Sequence, residues 1–202
     1  MLPFLETIAL SEGQYLNLSY HEKRFRSTLR HFYDLYPTQT LSEILPDPPK
    51  KEAFFRCRLT YDLNQYQIEF IKYEFKEIKS LQCIIDDTIE YTYKRTDRTH
   101  LNTILAKKGS CDEVLIIKDG FITDLSVANI LFKEGHRIVT PIKPLLLGTA
   151  LCRMIDEGIV YPTEIKIDDL KRYSGWQPIN ALRSFDPKNW RSINHICGSI
   201  HR

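Results

Sequence analysis

Apolar and polar positions alternate over residues 3–9, which predicts a strand ending at the turn Ser11-Glu12-Gly13. The period then changes. Phe25, Leu29, Phe32 and Tyr36 recur at helical spacing, and Ser19 followed by Glu22 has the form of a capping box, so a helix is predicted from there to about Tyr36. Thr40 and Glu43 repeat the capping signal for a short helix, stopped by Pro46, Pro48 and Pro49. Alternating stretches at residues 54–62 and 66–75, parted near Asn64, predict a hairpin, and residues 81–85 another strand. Beyond Tyr91 the pattern predicts a helix over 97–108 and a buried strand at Glu113-Val114-Leu115-Ile116-Ile117. Asp119-Gly120 then turns the chain into Phe121-Ile122-Thr123. Strands at 129–132 and 136–140 meet at Glu134-Gly135, and a helix starts near Gly148 after Pro141 and Pro144. A strand at 161–167, a short helix from Asp168 and a strand at 179–183 complete the list. The expected class is α+β, with a small N-terminal lobe over 1–90 and a larger mixed-β lobe over 91–202.

Composition narrows the function. With 43% hydrophobic and 27% charged residues over 202 positions, the chain is that of an ordinary globular protein. Its formal net charge of +2 gives no footprint for nucleic acid. No apolar run is long enough to span a bilayer. The start Met1-Leu2-Pro3-Phe4-Leu5-Glu6 lacks the basic, then apolar, form of a signal peptide. The five cysteines are scattered and odd in number, which fits reduced thiols and a cytoplasmic location. His195, Cys197 and His201 match no standard metal site, so no metal is expected.

Two short segments carry chemistry. Lys94 opens Lys94-Arg95-Thr96-Asp97-Arg98, and thirty residues on stands Asp124 in Gly120-Phe121-Ile122-Thr123-Asp124. A lysine can form a Schiff base with an aldehyde cofactor, and a carboxylate can keep a proton on a pyridine nitrogen. Together they suggest pyridoxal 5′-phosphate (PLP). Arg95 and Arg98 are cations close to Lys94 in sequence, the kind of company that makes an amine available as nucleophile and base.

The motifs also occur in a familiar order: Phe4-Leu5-Glu6-Thr7, His21 to Arg24, Lys94 to Arg98, Asp124 with Ala128-Asn129-Ile130, then Leu145-Leu146-Leu147-Gly148-Thr149. This order resembles the class IV aminotransferase family, whose members are two-lobed fold-type IV PLP enzymes. They include branched-chain and D-amino-acid aminotransferases and aminodeoxychorismate lyase. The resemblance implies that Lys94 is the Schiff-base lysine and that Asp124 pairs with the pyridinium nitrogen, where most of the family carries Glu. It implies that Arg24 grips the cofactor phosphate and that Thr149 and Ala150, after Gly148, offer it backbone N–H groups. Relatives often have an arginine three residues after this glycine, whereas here Arg153 follows at five. Asn129 and Ser126 are expected to shape the loop that carries Asp124, with the cofactor within reach of Ser126. Arg58 and Thr7 fall on the substrate side. Asp97, where relatives often have Asn, is a candidate cap for the helix it precedes.

The shared residues do not separate the reactions of the family. The chain is short, like the lyase branch, so an aminodeoxychorismate lyase-like enzyme is the first expectation. A small aminotransferase is the alternative, and a non-catalytic relative that keeps only the fold is a third. The resemblance further implies a small-molecule amino substrate and a homodimer, with no nucleic-acid or membrane partner.

Overall fold

The computed structural model describes residues 3–34, 37–49 and 54–198. Tyr36 and His201, both named above, lie outside the described residues. The chain divides into two compact units, Met1–Phe75 with Tyr93–Asp97, and Lys76–Thr92 with Arg98–Arg202. A single cut after residue 90 therefore misplaces two segments. Lys76–Thr92 goes with the second unit because its strand pairs there. Tyr93–Asp97 goes with the first because its backbone bonds to the first strand: Leu5 N–H donates to Lys94 O at 3.0 Å and Thr96 N–H to Pro3 O at 2.9 Å.

The first unit is a four-stranded antiparallel sheet with a helix on one face. Its strands are β1 (Phe4–Ser11), β2 (Gln14–Tyr15), β3 (Phe55–Tyr61) and β4 (Tyr66–Lys72), in the order β2-β1-β3-β4. Helix α1 (Leu18–Tyr33) buries His21, Phe25, Thr28 and Leu29, which follow one another at i, i+4, i+7 and i+8. Phe25 and Leu29 meet Phe4, Ile8, Cys57, Leu59 and Tyr61 from alternate positions of β1 and β3. Each large apolar side chain buried in this way contributes roughly 1.5–3 kcal/mol. Ser19 does not cap α1: the N-cap is Asn17 in the left-handed region, φ 59°, which places Ser19 inside the first turn. Thr40 does cap α2 (Leu41–Ile44). Its side chain accepts from Glu43 N–H, and the Glu43 carboxylate accepts from Thr40 N–H at 2.7 Å.

The second unit holds two further sheets. One contains β5 (Leu81–Ile85), β6 (Glu113–Lys118) and β7 (Phe121–Leu125), with α3 (Thr99–Leu105) between β5 and β6 in the chain. The other contains β8 (Asn129–Glu134), β9 (Arg137–Pro141), β10 (Tyr161–Thr163) and β11 (Gly175–Ile179), with α4 (Thr149–Asp156) between β9 and β10. A two-residue strand, β12 (Ile196–Cys197), closes the first of these at its edge beside β5. Leu115, Ile117, Ile122 and Leu125 share a core with Ile130, Phe132, Val139 and Trp176, so the two sheets pack on each other. Val114 and Ile116 pack instead with Leu101 and Ile104 of α3. Burial on both faces explains why β6 reads as an unbroken apolar run rather than an alternation. On the other sheet, Leu131 and Ile179 pack with Leu151 and Met154 of α4.

Several boundaries differ from the sequence expectation. The helix over 97–108 is α3 followed by a 3-10 turn, Ala106–Lys108, and its N-cap is Arg98 rather than Asp97. The last long strand lies at Gly175–Ile179, one step earlier in the chain than 179–183, because Trp176 and Gln177 are buried against β8. Among the described residues no helix is long and apolar enough to cross a membrane. The cysteines are free thiols.

Candidate active site

In the first unit the strand alternation sorts the site residues onto two faces. Phe4 and Arg95 form an antiparallel bridge, and the Arg95 guanidinium lies 5.6 Å from the Phe4 ring and 4.9 Å from the Phe32 ring. Tyr93 stacks on His31 of α1 at 4.6 Å. Tyr93 and Arg95 thus face the helix, and alternation turns the intervening Lys94 to the opposite face. That face also carries Leu5, Thr7 and Arg58, because Thr7 and Arg58 are direct cross-strand partners. Lys94, Thr7 and Arg58 are each half-buried. Arg58 holds Glu69 through a 3.4 Å contact between side chains 40% and 44% exposed. Such a surface pair is worth little and leaves Arg58 available to another anion. The cation at Arg95, expected beside the Lys94 amine, is directed away from it.

Arg24 is on the helix side, and there the structure adds two residues that sequence reasoning quoted without assigning a role. Glu6 is fully buried and receives the Arg24 guanidinium bidentately, Nε to Oε1 at 2.8 Å and Nη2 to Oε2 at 2.6 Å. His21, also fully buried, holds Glu6 Oε2 through Nδ1 at 2.5 Å. Burial alone would raise the Glu6 pKa. The Arg24 charge and the bonds from Arg24 and His21 outweigh burial and bring it down to about 2. Glu6 is therefore ionised and only accepts, so His21 carries its proton on Nδ1. Burial pushes the His21 pKa down against the pull of Glu6, and the Arg24 and Lys94 charges lower it further. The missed signal was a carboxylate at the inward position between Phe4 and Ile8, matched by a histidine on the inward stripe of α1.

In the second unit Asp124 sits at an irregularity of β7. Leu115 pairs with Leu125 and Ile117 with Ile122, so β7 carries an extra residue in a bulge at Thr123-Asp124. The Asp124 carboxylate is buried. It accepts from Asn129 Nδ2 at 2.8 Å, from Leu146 N–H at 2.9 Å and from Leu145 N–H. Burial raises its pKa to about 7 despite these bonds, and the groups acting on it are neutral N–H donors. Asn129 also donates to Leu146 O at 2.8 Å, which ties β8 to the segment leading into α4.

That segment ends at Gly148, the N-cap of α4, with Thr149 and Ala150 in the first turn. A Cβ on Gly148 would lie 2.1 Å from Asn129 Oδ1, inside any tolerable contact. Gly148→Ala is therefore expected to push Asn129 off Asp124 and to lower stability by about 1–3 kcal/mol, read by denaturant unfolding. An unchanged midpoint would show that the close approach is dispensable. Arg153 pairs with Glu157 one turn on, at 3.2 Å and half-exposed. Ser126, two residues after Asp124, is buried, and its hydroxyl donates to the buried Glu113 at 2.9 Å.

Residues 4–187 match the family described as Amino-transferase class IV. An uncharacterized Haemophilus influenzae protein is 34% identical over 185 residues, 90% of this chain and 98% of that one. A proposed 4-amino-4-deoxychorismate lyase from Haemophilus somnus superposes with a TM-score of 0.86 at 33% identity, covering 92% of this chain and 98% of its own. An aminotransferase from Brucella abortus, solved with PLP bound, shares the fold with a TM-score of 0.68 at 14% identity, over 90% and 78% of the two chains. With its Lys94 and Asp124 segments inside a match of this extent and its fold that of the fold-type IV enzymes, the chain belongs to the class IV aminotransferase family.

Proposed function

We propose that the chain is a PLP-dependent enzyme that converts 4-amino-4-deoxychorismate to 4-aminobenzoate and pyruvate. The observation that carries the reading is the placing of Lys94, Thr7 and Arg58 on one sheet face, an amine beside a hydroxyl and a cation that can meet a substrate carboxylate. Similarity to the Haemophilus somnus protein of that proposed activity, 33% identical and covered over 98% of its chain, supports the lyase branch.

The residues fit PLP. A carboxylate offers about four lone-pair sites, and Asp124 has three donors, so one more N–H completes it. The start of α4 is a helix N-terminus, where backbone N–H groups and the helix dipole suit a phosphate. PLP, when bound, supplies an electron sink for the pair released at the carbon bearing the amine. Asp124 would accept the ring N–H and keep it protonated. Arg24, oriented by Glu6, and the amides of Thr149 and Ala150 would each serve phosphate. Lys94 would hold the aldehyde carbon and, once displaced by the substrate amine, take the proton from the amine-bearing ring carbon. With that proton removed, the substrate's C–O bond to the enolpyruvyl group would break, its ring would become aromatic, and protonation of the departing methylene would give pyruvate. Arg58 and Thr7 would orient the substrate. Use in folate biosynthesis, a cytoplasmic location and a homodimer belong to the same proposal.

Transfer of the amino group to a keto acid is the second reading, favoured by the family to which the chain belongs. Both are tested by supplying PLP and 4-amino-4-deoxychorismate to the purified protein. The lyase should release 4-aminobenzoate and pyruvate in equal amounts. Amino transfer to 2-oxoglutarate without 4-aminobenzoate would replace the lyase with an aminotransferase.

A further inference from the structure

The buried glutamate at the start of β6 has no part in the chemistry above. Glu113 is 5% exposed and stands at the head of the strand, directly before its apolar run Val114-Leu115-Ile116-Ile117. Were packing its only task, an apolar side chain would serve at lower desolvation cost. Its two oxygens are instead both engaged. Oε1 accepts from Val114 N–H at 2.8 Å, and Oε2 from the Ser126 hydroxyl at 2.9 Å, with the Ser126 N–H also bonded to the carboxylate. The remaining polar group of Ser126, its carbonyl, accepts from Arg98 Nη2 at 2.7 Å.

Ser126 lies in the loop that joins β7 to β8. Leu125 N–H closes that loop on Ala128 O at 2.9 Å, and Asn180 Nδ2 holds its tip at Val127 O at 2.9 Å. Asp124 precedes the loop and Asn129 follows it, and the two are bonded to each other. The bulge at Thr123-Asp124 interrupts the regular ladder just where the carboxylate sits, so sheet pairing alone does not set its height.

We propose that Glu113 is a positioning residue for the site: by gripping Ser126 opposite Arg98, it fixes the β7–β8 loop and thereby the placement of Asp124. The inference rests on Asp124 being the acid of the proposed site, and its test needs no cofactor. Glu113→Gln keeps the shape but turns one acceptor into a donor, so the Val114 N–H, the Ser126 N–H and the Ser126 hydroxyl can no longer all donate to it as they do to the carboxylate. The loosened loop admits water to Asp124, and a hydrated carboxylate returns toward its ordinary pKa.

The measurement is a pH titration of the Asp124 carboxyl carbon by NMR in the PLP-free protein, together with hydrogen exchange at the Leu146 amide. Thr140→Val, which removes another buried hydroxyl bond (to Ile130 O), serves as the control for general destabilisation. In Glu113→Gln the Asp124 midpoint should fall by about one unit or more from about 7, and Leu146 should exchange about tenfold faster, with neither change in Thr140→Val. An unchanged midpoint in Glu113→Gln, or an equal fall in Thr140→Val, overturns the proposal. Should Glu113→Gln not fold, Arg98→Gln loosens the same serine from the other side and is read by the same criteria. Failure of the wild type to bind PLP would remove the proposed function and leave the loop result intact.

Discussion

Lys94→Ala is expected to abolish the visible absorption band that PLP gives with the wild-type protein and that borohydride bleaches, and to cut turnover by roughly a thousandfold or more. On the proposed function, alanine would remove both the nucleophile that holds the aldehyde and the base that moves the substrate proton. The fold should be spared. Residue 94 is held through its backbone carbonyl, which accepts from Leu5 N–H, and the side chain is half-buried on the face away from α1. Thermal unfolding of wild type and variant should therefore coincide. Lys94→Arg separates charge from nucleophilicity, because a guanidinium stays protonated and cannot replace the amine. It too should lack the band. A band that persists in Lys94→Ala would mean that another amine holds the cofactor, and the assignment of Lys94 would fall.

Glu6→Gln should be the most damaging substitution for stability, at about 3–5 kcal/mol in denaturant unfolding. It strips the charge partner from a nearly buried guanidinium and a fully buried imidazole, whereas a surface pair such as Arg58–Glu69 could be lost almost without effect. The same cluster sets the response to acid. Glu6 titrates at about 2 when folded, below its ordinary value of 4.5, so the folded state binds fewer protons and its stabilisation is complete above about pH 4.5. It is lost as the pH falls from there through 2, a contribution of about 3 kcal/mol at one kcal-scale step per unit. The depressed His21 pKa acts in the same direction at higher pH, because the unfolded imidazole protonates first. Glu6→Gln should accordingly flatten the acid limb of the stability profile. A wild-type profile with no slope below pH 4.5 would contradict the buried ion pair.

Much of the secondary structure was legible because the signals were local. Glu113–Ile117 is a strand in the chain and in the structure, and Asp119-Gly120, both at positive φ, form the hairpin turn that such a pair favours. Thr40 and Glu43 cap as expected, while the same signal at Ser19 and Glu22 failed because Asn17, able to adopt the left-handed conformation, starts the helix earlier. The family was legible from residue type and order, in the segments around Lys94 and Asp124. What depends on pairing across the chain was not legible. No local pattern states that Glu6 meets His21 and Arg24, that Glu113 meets Ser126, or that Arg95 is directed away from the lysine beside it. Those contacts are set by strand register and by which helix face is buried.

The return of Tyr93–Asp97 to the first unit has a consequence for how the molecule is made. On a ribosome the chain emerges in order, and units fold as they become complete. The first unit cannot be completed when Phe75 appears, because the stretch bonded along β1 has not yet been synthesised. It must wait through Lys76–Thr92, a length that belongs to the other unit and has as yet nothing to pair with. Lys94 is thus delivered in the final five residues of the unit it joins, and a nascent chain arrested before it would hold Glu6, His21 and Arg24 but lack Lys94.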